Sequence, residues 1–241
     1  MCTVSVVPRD GGFRLMCNRD ERLSRPPALP PRSMTTGGVW TAYPIDPPSR
    51  GTWIGVNEAG VALALLNRSR ARQTYRPGCT VVVSARSRRV EVRSRGEIVP
   101  GLIGATDLDG VRAALRAIRP DHFEGFRLVA AWRRALLVAT SDRGRVEIAT
   151  ARLARPHVFT SSSLGDACVE EVRVPLFRDL VVRAVDSLGA QRTFHDHRWP
   201  GRTELSVHMC RHDARTVSRT TVDVEAGRIS LTYEPLAGGH S

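Results

Sequence analysis

A chain of 241 residues, 41% apolar and 25% charged, can bury a substantial core and has the composition of an ordinary globular protein. All 36 basic residues are arginine and the formal net charge is +12, yet the arginines run the whole length of the chain and aromatics are only 5%. A nucleic-acid surface needs a basic patch with stacking aromatics, so no nucleic-acid partner is expected.

The five cysteines lack paired spacing. They argue against a disulfide framework and for a reducing compartment, and no Cys-x-x-Cys supports a structural zinc site. No basic segment leads into an apolar run at the start, and no apolar run reaches bilayer length. A cytoplasmic protein without membrane insertion is expected.

In chain order, Cys2 to Val7 is β-branched and extended, Asp10-Gly11-Gly12 is a turn signal, and Phe13 to Cys17 resumes an extended run. With Gly11-Gly12 as a two-residue loop, Val4 faces Arg19, Thr3 faces Asp20 and Cys2 faces Glu21. That pairing is conditional, because a one-residue slip turns every side chain to the other face. Removal of Met1 would leave Cys2 with an α-amine of pKa about 7.7–8.0 beside a thiol of about 8.5, a nucleophile carrying its own general base. Arg19 would favour the thiolate, and Asp20 could accept hydrogen bonds from the ammonium. The bland reading of Cys2 is a small residue after the initiator.

Met1-Cys2-Thr3 together with Asn18-Arg19-Asp20-Glu21 resembles the NRDE family, also called the transport and Golgi organisation family. That family is similar to the N-terminal-nucleophile amidohydrolases of the penicillin V acylase and bile-salt hydrolase type. The resemblance implies a small-molecule amide or acyl substrate and a site containing Cys2, Arg19 and Asp20, with Asn18 and Glu21 beside the substrate.

Arg25 to Pro31 is Pro-rich and reads as an extended loop, Gly38 to Tyr43 as a short strand, and Asp46 to Gly51 as a second loop. Thr52 to Val56 reads as a strand, Asn57 to Gly60 as a turn, and Val61 to Leu66 as a buried strand ending at Asn67. This segment resembles the family's Gly-Thr-Trp run followed by an apolar strand ending in Asn. In the bile-salt hydrolase relatives an Asn there helps form the oxyanion hole, and Asn67 matches it. The alternative is a turn residue bonding its own backbone. Residues 72–93, with strands at Thr80–Val83 and Arg89–Val92, read as an insertion in a single domain, 1–241. Ser94-Arg95-Gly96 is again family-like.

Asp109 to Ile118 is expected to be a helix ended by Pro120, followed by an antiparallel meander of Phe126–Trp132, Ala135–Thr140 and Arg145–Thr150. His157 to Thr160 is a further strand. The family then often reads Leu-Ser-Asn where this chain has Thr160-Ser161-Ser162. Ser161 keeps a hydroxyl for the substrate but is shorter than Asn, and a Ser-rich helix cap is the plainer reading. Val174 to Leu188 reads as one long helix stopped by Gly189, with Leu176, Leu180, Val181, Ala184, Val185 and Leu188 on its core face.

His195 and His197 are expected in a polar loop, and His208 and His212 around a strand from Leu205 to Cys210, so no metal site is read from them. Thr216–Val224 and Arg228–Tyr233 form a closing hairpin. Arg219 on its first strand resembles the family's arginine near the nucleophile, although an edge-strand arginine explains it equally.

The expected fold is α+β, sharpened by the resemblance to a four-layer αββα sandwich of mainly antiparallel sheets. The implied activity is hydrolysis of a linear, non-peptide C–N amide through an acyl-enzyme on Cys2, with no cofactor. The alternative is a non-catalytic carrier or chaperone of haem or acyl lipids using the same pocket, which retention of Met1 would favour. A domain whose catalytic apparatus has decayed is a third possibility.

Overall fold

The computed structural model describes residues 2–68 and 92–236. The chain begins with β1 (Cys2–Arg9) and β2 (Gly12–Arg22), followed by β3 (Leu29–Thr36), β4 (Val39–Ile45), β5 (Ile54–Asn57) and β6 (Ala62–Asn67). After α1 (Ile98–Leu102) and α2 (Leu108–Ala117) come β7 (Phe126–Trp132), β8 (Ala135–Ser141), β9 (Val146–Arg152) and β10 (His157–Thr160). The chain closes with α3 (Asp166–Phe177), α4 (Ser187–Asp196), β11 (Ala214–Glu225) and β12 (Arg228–Pro235).

The strands form two antiparallel sheets, one of five in the order β10-β1-β2-β11-β12 and one of seven in the order β3 to β9. Alternation along the strands assigns the layers. Cys2, Val4 and Val6 of β1 and Phe13, Leu15 and Cys17 of β2 point into a core shared with Ala62, Ala64 and Leu66 of the other sheet. Leu63 and Leu65 of β6 point the opposite way, onto α1 and α2. Val7 packs with Phe177, Val181 and Phe194 of the second helical layer. The result is an α+β sandwich in four layers, αββα. A strand covered on both faces reads as continuous apolar sequence, as Val61 to Leu66 does.

Several expectations need correction. The opening hairpin pairs Cys2 with Arg19, Thr3 with Asn18 and Val4 with Cys17, and it closes on Arg9 opposite Gly12. The turn is therefore Asp10-Gly11, with Gly11 at φ 74°, and the register moves by two from the expected one. An even shift leaves every side chain on its expected face. β3 lies at a sheet edge where the Pro-rich segment suggested only a loop, and its register is irregular between Leu29 and Arg32, which flank Pro30 and Pro31. Edge strands tolerate missing donors.

The long helix expected at 174–188 is divided. A π-helical turn, Arg178–Val182, ends the first piece, and α4 starts at Ser187, capped by Asp186 Oδ1 accepting from the amides of Leu188 and Gly189 at 3.1 and 2.9 Å. Gly189 thus lies in the first turn of a helix, and Val185, assigned to the core face, is fully exposed. His195 lies on α4 and is buried, not in a polar loop, and Leu205 to Cys210 forms turns instead of a strand. The insertion at 72–93 and its strands at 80–83 and 89–92 fall almost wholly outside the described residues. Among the described residues no helix is long and apolar enough to cross a membrane.

Candidate active site

The start of β1 is held from the side by the segment after β10. The Ser161 amide donates to the Cys2 carbonyl at 3.0 Å, and the Cys2 nitrogen donates to Ser161 Oγ, also at 3.0 Å. Ser161 therefore grips the backbone of Cys2 on both sides, and its hydroxyl sits where a free α-amine would need an acceptor. Cys2 is buried to 4% exposure at the wall of a cavity of about 430 Å³. Arg19, Glu21, Asp46, Trp53, Asn67 and Arg95 also line this cavity.

The other side of Cys2 is set by the hairpin register, which places Arg19 directly across from it. The Arg19 guanidinium stacks over the Trp53 ring at 4.3 Å and bonds Asp46 Oδ1 at 2.8 Å and Glu21 Oε2 at 3.2 Å. Asp46 also receives Arg25 at 2.5 Å and the Ser49 hydroxyl at 2.6 Å. Burial pushes the Asp46 carboxyl up, but the hydrogen bonds from Arg25 and Ser49 and the charge of Arg19 outweigh it, so the group lies below the usual carboxylate range. Arg19 is thus fixed as a buried, paired cation beside Cys2.

The sulfur has a second neighbour. Cys17 pairs with Val4 across the hairpin and shares the face of Cys2. The neighbouring Cys17 thiol lowers the Cys2 pKa more than burial raises it, the positive charges of the chain terminus and Arg19 acting against that of Asp20, while Cys2 and burial push Cys17 well above its ordinary value. Cys2 is the thiol of the pair that ionises first.

Asn67, at the end of β6, lines the same cavity. Leu65, two residues before it on the same side of β6, reaches the cavity wall as well. The segment Ser94-Arg95-Gly96 reaches the cavity because two glycines let backbones meet. The Thr52 amide donates to the Gly96 carbonyl at 2.9 Å, and a Cβ on Gly51 would stand 2.2 Å from that oxygen.

Not every expected site residue arrives at the cavity. Asn18 faces the helical layer, where its amide donates to the carbonyls of His195 at 2.8 Å and Val207 at 3.1 Å. Arg219 pairs with Asn18 across β2 and β11, donates to its Oδ1 at 3.2 Å and binds Asp196. Both are buried on the face of the sheet opposite Cys2 and Arg19, a consequence of the two-residue period, so Arg219 does not flank the sulfur. Asp20 lies one register step beyond the start of β1, buried, accepting from Thr216 Oγ1 at 2.6 Å. Burial raises its carboxyl pKa, opposed by the charge of Arg173. Arg173 is itself only 1% exposed and donates to Thr3 Oγ1 at 2.7 Å.

Asp46, Trp53, Cys17, Arg95 and Arg173 were not singled out from sequence. Trp53 and Arg95 sit in the two family-like runs, Gly51-Thr52-Trp53 and Ser94-Arg95-Gly96, which was the available signal. Asp46 stood in a loop with no periodicity, and Arg173 adjoined a segment read as core. Among the described residues no group of three or more His, Cys, Asp or Glu side chains could hold a metal ion.

The arrangement can present a polarised sulfur, an acceptor for its backbone nitrogen and cationic walls to a small molecule. The same architecture occurs in solved proteins. Penicillin V acylase from Agrobacterium tumefaciens superposes with a TM-score of 0.56 at 12% identity, covering 98% of this chain and 83% of that one. The Caenorhabditis elegans orthologue of N-acylethanolamine-hydrolyzing acid amidase gives 0.62 at 11%, covering 98% and 100%. A mutant of conjugated bile acid hydrolase from Clostridium perfringens gives 0.53 at 10%, covering 97% and 92%. At such identities the likeness is one of fold. A search of curated protein sequences finds no match. The family model for Transport and Golgi organisation 2 matches residues 1–175, and the chain therefore belongs to the Transport and Golgi organisation 2 family.

Proposed function

We propose that the protein hydrolyses a linear, non-peptide amide through an acyl-enzyme on Cys2 after removal of Met1. The observation that carries this reading is the placement of Cys2 at the cavity wall, with Ser161 Oγ 3.0 Å from its nitrogen and Arg19 directly across the hairpin. It is supported by the fold, shared with proteins named as acylases and amidases.

In this reading the Cys2 thiolate, polarised by Cys17 and Arg19, attacks the amide carbon, and the α-ammonium of Cys2 protonates the departing amine. The α-amine then takes a proton from water as it attacks the thioester, releasing the carboxylic acid and restoring the sulfur. Asp20 helps orient the terminus, Ser161 Oγ accepts from the amine, and Asn67 with a backbone N–H holds the oxyanion. One such donor is typically worth about 10²–10³ in rate. Arg219 has no part, because it packs on the other face. The chemistry requires a reduced Cys2, which fits a cytoplasmic setting.

The test is intact-mass and peptide analysis of processed protein treated with a β-lactone at neutral pH. One acyl adduct on Cys2 is expected, lost in Cys2→Ala, and absence of any adduct on Cys2 refutes the hydrolase.

A carrier of haem or acyl lipids is favoured by a different feature, an adjoining cavity of about 400 Å³ whose walls combine Leu23, Pro26, Pro27, Val217, Tyr233 and Leu236 with the charged Arg19, Glu21, Arg22, Arg25 and Arg215. Retained Met1 together with saturable haem or acyl-CoA binding would select that reading.

A further inference from the structure

Five arginines and three carboxylates line the cavity that holds Cys2, but they are not equivalent. Arg19 and Arg25 are neutralised by Asp46 and Glu21. Arg93 is tied to Glu97, and the Glu124 carboxylate is engaged by Arg143 at 2.9 Å. Arg22 is exposed, where solvent screens its charge. Arg95 is different. It is partly buried, and among the described residues its hydrogen bond is to a neutral acceptor, the Gly125 carbonyl, at 2.9 Å from Nη1.

A guanidinium carries five donors, so a fork remains for a planar or tetrahedral oxyanion. Desolvation lowers the Arg95 pKa, and the charges of Glu124, an ionised Cys2 and Glu21 oppose that shift. Arg95 is therefore within electrostatic reach of the sulfur and incompletely compensated.

We propose that Arg95 is a specificity-determining residue that receives an oxyanionic group of the ligand, a carboxylate, sulfonate or phosphate, so that the protein selects anionic amides over neutral ones. The position of the scissile bond rests on the hydrolase reading, whereas the anion site does not. The segment that carries Arg95 is fixed by backbone, through the Thr52–Gly96 hydrogen bond and the close approach of Gly51. A preorganised cation of this kind costs little to order on binding.

The experiment uses full-length protein carrying Cys2→Ala, which cannot acylate, titrated by calorimetry with N-octanoylglycine and N-octanoylethanolamine, a pair that differs in charge. The anionic probe is expected to bind at least about tenfold more tightly, the size of one charge-assisted hydrogen bond. Sulfate should compete with it and leave the neutral probe unaffected. Arg95→Gln should abolish the preference, and Arg95→Lys should retain part of it. If Arg95→Gln does not fold, sulfate competition with the Arg95 protein decides the matter. Equal affinities, no binding of either probe, or a preference unchanged in Arg95→Gln overturns the proposal. Turnover of the same pair by processed protein with Cys2 intact judges the hydrolase separately. Preferential binding without turnover leaves the anion site standing and removes the hydrolase.

Discussion

The reactivity of Cys2 depends on its buried neighbour Cys17. Cys17 is on the core face of β2 at 0% exposure, and its thiol is the largest influence lowering the Cys2 pKa. Hydrogen bonds to charged groups are worth about 1.5–3 kcal/mol, and roughly 1.4 kcal/mol is tenfold in the thiolate population. Cys17→Ala should therefore slow alkylation of Cys2 by iodoacetamide at pH 7 by about tenfold and move the pH midpoint of the reaction upward. An unchanged rate–pH profile would exclude Cys17 as a positioning residue.

Much of the residue-level arrangement was readable from the sequence. The expected pairs, Cys2 with Glu21 and Val4 with Arg19, keep Cys2, Arg19 and Glu21 on one face of the hairpin, and a register error of two could not disturb that. What could not be read was depth. Asn18 and Arg219 satisfy each other on the far face, and only the pairing of β2 with β11 shows it.

The elements that build the cavity meet through small residues. The loop from Asp46 to Gly51 is closed by the Asp46 amide donating to the Gly51 carbonyl at 2.8 Å, and Gly51 then packs against Gly96. Gly51→Ala would put a methyl 2.2 Å from the Gly96 carbonyl oxygen, and backbone cannot step aside as a side chain can. The expected cost is about 1–3 kcal/mol, read as a lower urea midpoint, with weaker binding of N-octanoylglycine as Arg95 moves.

Strands with turn residues between them, such as the meander β7 to β9 and the hairpin β11–β12, were legible because alternation and Gly or Asp turns act locally. The helical layer over the five-stranded sheet was less so. Leu176, Leu180, Val181 and Leu188 do keep helical spacing across the break, and nothing in that pattern reveals that Asp186 caps a new helix. β3 was hidden because its prolines argue against a strand until the sheet shows that it lies at an edge.

At the scale of the whole molecule, charge decides where stability ends. The 36 arginines are offset by only 24 carboxylates, so each carboxylate protonated in acid adds to an existing charge of +12. Asp46 and Asp20 then act with opposite signs. Asp46 has a folded pKa below its ordinary value. Its contribution to stability is complete above the unfolded carboxylate value of about 3.9 and is lost as pH falls through the folded one. Asp20, raised by burial, costs the folded state when ionised, so its contribution is fully present below the unfolded value and lost as pH rises through the folded one.

Replacing Asp46 isolates the first effect. Asp46→Asn leaves Arg19, at 5% exposure, without its main counter-ion, and breaking such a buried pair costs about 3 kcal/mol or more. That deficit should appear in urea unfolding at pH 7 and shrink as pH falls well below about 4, where the parent protein's own Asp46 is neutral and the two proteins converge. A deficit that stays constant from pH 7 to the acid limit would mean that the Asp46 side chain acts through packing and not as the charge that fixes Arg19 beside Cys2.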